Sequence, residues 1–157
     1  MQPIIVANWK MNGSSAMVRE LVPAIASFAA AQEFAGEVVV CPPSLFVAEA
    51  VQAAIGSFIS VGAQDCSAHK NGAYTGEISA GMLAAADCRY VIVGHSERRQ
   101  YHGETDSLVR AKIQAALSAG LVPIICVGET LEEREAGKAL ETVEIQLTSC
   151  LPRPQSP

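Results

Sequence analysis

Five short apolar runs, separated by stretches with helical spacing, leave this chain few folds to choose from. The runs begin near residues 4, 38, 59, 90 and 122. Each is rich in β-branched residues and apolar on both faces, as strands are in a parallel sheet covered by helices. Between them Val18, Leu21, Val22, Ile25 and Phe28 recur at helical spacing, and so do Val109, Ile113, Ala116 and Leu117. Strand and helix alternate five times. That predicts an α/β fold of right-handed strand–helix–strand units.

Local signals refine the outline. Pro23 is expected to kink the first helix or to mark a later start for it. Ser44, after Pro42 and Pro43, is a suitable N-cap for a helix reaching about Ile55. The third strand runs from Ile59 to Gln64. The segment 65–79 holds Gly72 and Gly76 and is too long for a plain connector; taken alone it reads as a disordered surface loop. A short helix follows to about Ala86. Gly120 ends the next helix and Pro123 opens the fifth strand. Thr130 to Glu133 fits a capping box, with Ala136, Leu140, Val143 and Leu147 as the buried face of one last helix. Residues 151–157, with three prolines, read as a frayed end, and 1–157 as a single domain.

Composition narrows the classes. Half of the 157 residues are hydrophobic and 17% are charged, which excludes a disordered chain. The net charge is −5 and no Lys/Arg cluster stands out, so no nucleic-acid partner is expected. Five cysteines are odd in number and widely spaced, without a C-x-x-C pair, so neither a metal site nor redox chemistry is expected. Cys41 and Cys126 fall in strand-like runs and read as small core residues. No signal segment opens the chain, and the apolar stretch from Leu21 to Ala31 is too short to span a bilayer. A cytoplasmic setting without membrane contact is the expectation.

Two strand ends carry polar residues that could do chemistry. Val91-Ile92-Val93-Gly94 leads into His95-Ser96-Glu97-Arg98-Arg99 where a helix would begin. Active sites of parallel α/β folds sit at the carboxyl ends of strands. A histidine at a helix N-terminus meets positive partial charge, which favours neutral imidazole, a hydrogen-bond donor to a carbonyl oxygen. The same position also suits a histidine that only satisfies a loop hydrogen bond. Ile4-Ile5-Val6-Ala7 leads into Asn8-Trp9-Lys10-Met11-Asn12. Asn8 and Lys10 lie two positions apart and share a face on an extended chain. A cation and an amide there suit an anionic substrate, although a lone lysine past a strand is more often simply solvated.

Together these stretches resemble the triosephosphate isomerases. Asn71-Gly72-Ala73-Tyr74-Thr75-Gly76-Glu77 and Cys126-Val127-Gly128-Glu129-Thr130 carry the same resemblance, which runs from residue 1 to about residue 147. It implies a partial TIM (β/α)8 barrel, strands ordered 1-2-3-4-5 with helices outside. It implies interconversion of dihydroxyacetone phosphate and glyceraldehyde 3-phosphate through an enediolate, in glycolysis and gluconeogenesis, with no cofactor or metal. The family pairs a glutamate base with a neutral histidine electrophile, a division of labour that comes from the family and not from this sequence. By resemblance His95 is the electrophile. Lys10 offsets enediolate and phosphate charge, Asn8 contacts substrate, Glu97 pairs with Lys10 and orients hydrogen bonds, and Ser96 helps position His95. The loop 65–79 would enter a neighbouring subunit, placing Tyr74, Thr75 and Gly76 at a homodimer interface.

The sequence also departs from that family. It has no Tyr-Glu-Pro-Val-Trp stretch, the source of the glutamate base, no glycine-rich lid after it, and no phosphate loops after strands seven and eight. Glu104 and Glu129 are carboxylates in the region present, but neither occupies the base's place. Five units cannot close an eight-stranded barrel, so strands one and five would keep open edges. Three expectations follow: the N-terminal portion of an isomerase, inactive by itself; half of a split barrel completed by a second chain; or a non-catalytic α/β binding domain.

Overall fold

The computed structural model describes residues 3–151. The expected frayed tail lies, apart from Leu151, outside the described residues. Five parallel strands form one sheet in the order β1-β2-β3-β4-β5: β1 Ile4–Asn8, β2 Glu37–Cys41, β3 Ile59–Ala63, β4 Tyr90–Val93 and β5 Val122–Ile125. Between them run α1 Ser15–Ala31, α2 Val47–Ala54, α3 Ala80–Ala85, α4 Ser96–His102 and α5 Asp106–Ser118; α6 Leu131–Glu135 and α7 Ala139–Cys150 follow β5. This is the expected order, and it gives part of a TIM barrel. Register sets Asn8 beside Cys41 and Val93 beside Ile125, so the carboxyl ends of the strands share one rim.

The sheet separates two apolar layers of unequal size. The larger lies between strands and helices, where Val18, Val22, Val91, Val93, Val109 and Ile113 are all but fully buried. The smaller joins Val39, Cys41, Tyr90 and Ile92 on the concave face, with Val6, Ile124 and Cys126 against them. Gly62 sits between the strands of that inner layer because nothing larger fits: a Cβ would lie 2.8 Å from Cys41 Sγ and 3.0 Å from Tyr90 Cβ. The outer strands stay open as expected, with Ile4, Ile5 and Val122 about half exposed.

Several local expectations are corrected. Pro23 does not mark a later start for α1, which begins after an N-cap at Ser14 and includes the proline. Burial of Val18, Val22 and Ala29 on one face outweighs the missing hydrogen bond, and Pro23 faces outward. Ser44 does not cap α2; it opens a 3-10 turn, Ser44–Phe46, and makes no side-chain cap. The capping box at Thr130 and Glu133 forms, but on a short helix that ends before Gly137, whose φ of +70° suits a helix terminus. The last helical unit is therefore two helices. On the second, Leu140 and Leu147 are exposed and Cys150 is the buried residue.

The segment 65–79 is ordered, not a disordered loop. The Ser67 amide donates to Ile78 O at 2.8 Å, Ser67 pairs with Ser79 as an isolated bridge, and the Ser67 hydroxyl bonds the Glu77 carboxylate. The rings of His69 and Tyr74 stack at 3.8 Å.

Candidate active site

Three side chains from two distant parts of the chain meet on the rim. Lys10 follows β1 and Glu97 lies in the first turn of α4, yet Lys10 Nζ is 2.7 Å from Glu97 Oε1. His95 is the N-cap of α4. Its Nδ1 accepts the Glu97 backbone N–H at 3.3 Å and lies 3.4 Å from Glu97 Oε2. A ring nitrogen that accepts cannot carry the proton, so the proton sits on Nε2. Ser96 opens α4, and the hydrogen bond to His95 Nδ1 comes from Glu97, not from Ser96. Lys10 and Glu97 are about half exposed and His95 is mostly covered. The hydrogen bond from the Lys10 ammonium, ahead of the opposing effect of desolvation, holds the Glu97 carboxyl below the usual carboxylate range.

The backbone around Lys10 is constrained. Its φ of +53° lies in the left-handed region, uncommon for a residue with a Cβ. Asn8 Oδ1 accepts the Lys10 N–H at 2.9 Å. Gln64 Nε2 donates to both Lys10 O and Cys41 O, each at 2.9 Å. Gln64 thus ties the ends of three strands together and holds the turn that carries Lys10. Sequence reasoning missed it, because a lone amide at a strand end matches no pattern.

The carboxylates set aside as candidate bases have other partners. Glu104 is buried against Lys112 Nζ and Arg98 Nε, both at 2.5 Å, and Asp65 joins them at 2.7 Å from Lys112 and 3.0 Å from Arg98. Burial pushes the Glu104 carboxyl up, but the hydrogen bonds from Lys112 and Arg98 prevail and hold it down. At Asp65 burial prevails and the carboxyl is pushed up. Glu129 lies 3.4 Å from the Arg134 guanidinium. Burial pushes the thiols of Cys41 and Cys66 up to about 12, so neither is a nucleophile at neutral pH. Among the described residues, no group of three His, Cys, Asp or Glu side chains is placed to hold a metal.

Tyr74, Thr75 and Gly76 lie exposed at the tip of the ordered loop. Beside it opens a cavity of about 470 Å³, lined by Lys10, Gln64, Asp65, Arg98 and Lys112 among others.

The family model for triosephosphate isomerase matches residues 3–156. The chain belongs to the triosephosphate isomerase family. The triosephosphate isomerase of Afipia carboxidovorans is 52% identical over 157 residues, covering 96% of this chain and 60% of that protein. That of Moorella thermoacetica is 53% identical over 146 residues, covering 93% and 58%. The crystal structure of the Bartonella henselae triosephosphate isomerase superposes with a TM-score of 0.90 at 44% identity, covering 99% of this chain and 64% of that one. The chain spans about three fifths of the length of the curated relatives it matches. Among the described residues no helix is long and apolar enough to cross a membrane.

Proposed function

We propose that this chain supplies the electrophilic side of a triose-phosphate isomerase site. The observation that carries the reading is the meeting of Lys10, His95 and Glu97 on one rim, with the His95 proton left on Nε2. In the isomerisation a base removes a proton from the carbon next to the carbonyl, and negative charge grows on the carbonyl oxygen. Nε2–H of His95 donates to that oxygen, and the Lys10 ammonium offsets its charge and that of the phosphate. Glu97 holds the ammonium in place. Asn8, its Oδ1 already bonded to the Lys10 amide, keeps Nδ2 for substrate. The base is not among these 157 residues, so the chain by itself binds a phosphorylated triose without turning it over. The family setting is central sugar metabolism in the cytoplasm, and five free cysteines suit a reducing compartment.

The partner this reading calls for is a second copy. The tip of the loop 65–79 is exposed, its His69 and Tyr74 rings stacked, and the cavity beside Lys10 and Arg98 is the receptor this reading assigns. Tyr74, Thr75 and Gly76 of one copy would enter it. A second reading rests on the open strand edges at Ile4, Ile5 and Val122: these edges accept further strand–helix units from another polypeptide and close a barrel.

Titration of the chain with dihydroxyacetone phosphate, followed by nuclear magnetic resonance, tests the site. The His95 ring and the Lys10 and Glu97 amides are expected to shift together. Lys10→Met should weaken binding about tenfold or more, the effect of losing one charge-assisted contact. Shifts elsewhere with His95 unmoved would contradict the reading.

A further inference from the structure

Gly94, the residue before His95, has little conformational freedom. Its φ is +69°, and a Cβ there would lie 2.9 Å from Val109 Cγ1. Its carbonyl oxygen accepts a hydrogen bond from Arg99 Nε at 2.9 Å. That carbonyl belongs to the peptide joining Gly94 to His95, so the bond fixes the plane from which the His95 side chain departs. The Arg99 backbone amide also donates to His95 O, at 3.1 Å. One residue therefore grips the peptides on both sides of His95.

The Arg99 guanidinium is itself anchored. Nη1 lies 2.5 Å from Asp106 Oδ1, at the start of α5. Nη2 lies 3.6 Å from Cys150 Sγ, at the end of α7, and Cys150 Sγ lies 3.4 Å from Asp106 Oδ1. Arg99 and Cys150 are both buried or nearly so. The last helix of the described chain is thus connected, through two side chains, to the turn that carries His95.

We propose that Arg99 is a positioning residue for His95. It holds the Gly94 peptide so that His95 Nδ1 keeps its hydrogen bond from the Glu97 amide and the ring keeps its proton on Nε2. Asp106 and Cys150 keep the guanidinium in the plane this needs. The proposal takes its functional meaning from the reading of His95 as an electrophile, but its test reads the imidazole itself and needs no turnover.

Lysine at this position separates positioning from a structural tie. Its ammonium can still pair with Asp106, but a single point charge cannot also present the planar fork that reaches Gly94 O. The experiment is nitrogen-15 magnetic resonance of the His95 ring at pH 8 in the 157-residue chain, with His95→Ala used to assign the signals. The unaltered chain should show one tautomer, protonated on Nε2. In Arg99→Lys the ratio of the two tautomers should fall about tenfold, the effect of losing one hydrogen bond to a charged group. Asp106→Asn keeps an acceptor oxygen and should move the ratio the same way by less; it decides the question if Arg99→Lys does not fold. A variant that melts earlier with its His95 tautomer unchanged would make Arg99 only a structural tie and overturn the proposal. Mixed tautomers in the unaltered chain would overturn it as well.

Discussion

Lys10 occupies a backbone conformation that costs a residue with a side chain on the order of 1–3 kcal/mol. Its neighbours compensate: Asn8 takes its amide hydrogen and Gln64 takes its carbonyl. Gln64 should therefore matter more than its unremarked place in the sequence suggests. A carboxylate cannot donate to two carbonyl oxygens, so Gln64→Glu should lower unfolding stability by about 2–3 kcal/mol at neutral pH. The glutamate's folded-state pKa would be raised by the carbonyls it faces, so part of the loss should return as pH falls and the side chain protonates. Urea midpoints at pH 7 and pH 5 check both statements; an unchanged midpoint at pH 7 would refute them. His95, Lys10 and Glu97 were legible in the sequence because they lie in contiguous motifs at strand ends. Gln64 and Arg99 were not, because each acts on backbone carbonyls that only strand register and helix packing bring within reach.

Among the elements, alternation of apolar runs was enough to place all five strands, while their order followed from the family resemblance. Helix ends were read less well. Pro23 shows that a buried face on Val18, Val22 and Ala29 can carry a helix through a residue that cannot donate. Replacing it with alanine restores a hydrogen bond to Arg19 O and removes a clash at an exposed position. Pro23→Ala should raise stability by about 1–3 kcal/mol, visible as a higher urea midpoint. A lower midpoint would mean that the proline stiffens the unfolded chain more than it harms α1. The division of the last helical unit was written in Gly137, which a search for apolar spacing alone passes over. Leu140 and Leu147 carry helical spacing, but both are exposed.

Among the described residues the sheet as a whole has two open edges, at β1 and β5. Its amino-terminal rim is held by Glu37, which accepts from the Tyr90 hydroxyl at 2.5 Å and from Ser60 at 3.0 Å and pairs with Arg89 at 2.7 Å. The Tyr90 hydroxyl, ahead of the opposing effect of burial, holds the Glu37 carboxyl below its ordinary value. The folded chain then binds fewer protons than the unfolded chain near that value, so this stabilisation is present above about pH 4.3 and is lost below it. Asp65, pushed the other way by burial, gains protons on folding and opposes the loss over part of the same range. Glu37→Gln should flatten the fall of stability between pH 5 and pH 3; an unchanged slope would assign acid sensitivity to other groups.

As proposed above, these residues supply the electrophilic side of an isomerase site and lack its base. The most direct test is isomerase activity on glyceraldehyde 3-phosphate, measured for the 157-residue chain alone and mixed with a polypeptide carrying the remaining strand–helix units of a relative. The expected result is no turnover above a His95→Ala control for the chain alone, and turnover in the mixture that disappears with His95→Ala. Turnover by the chain alone that depends on His95 would contradict it, because a base would then lie among residues assigned here to other work.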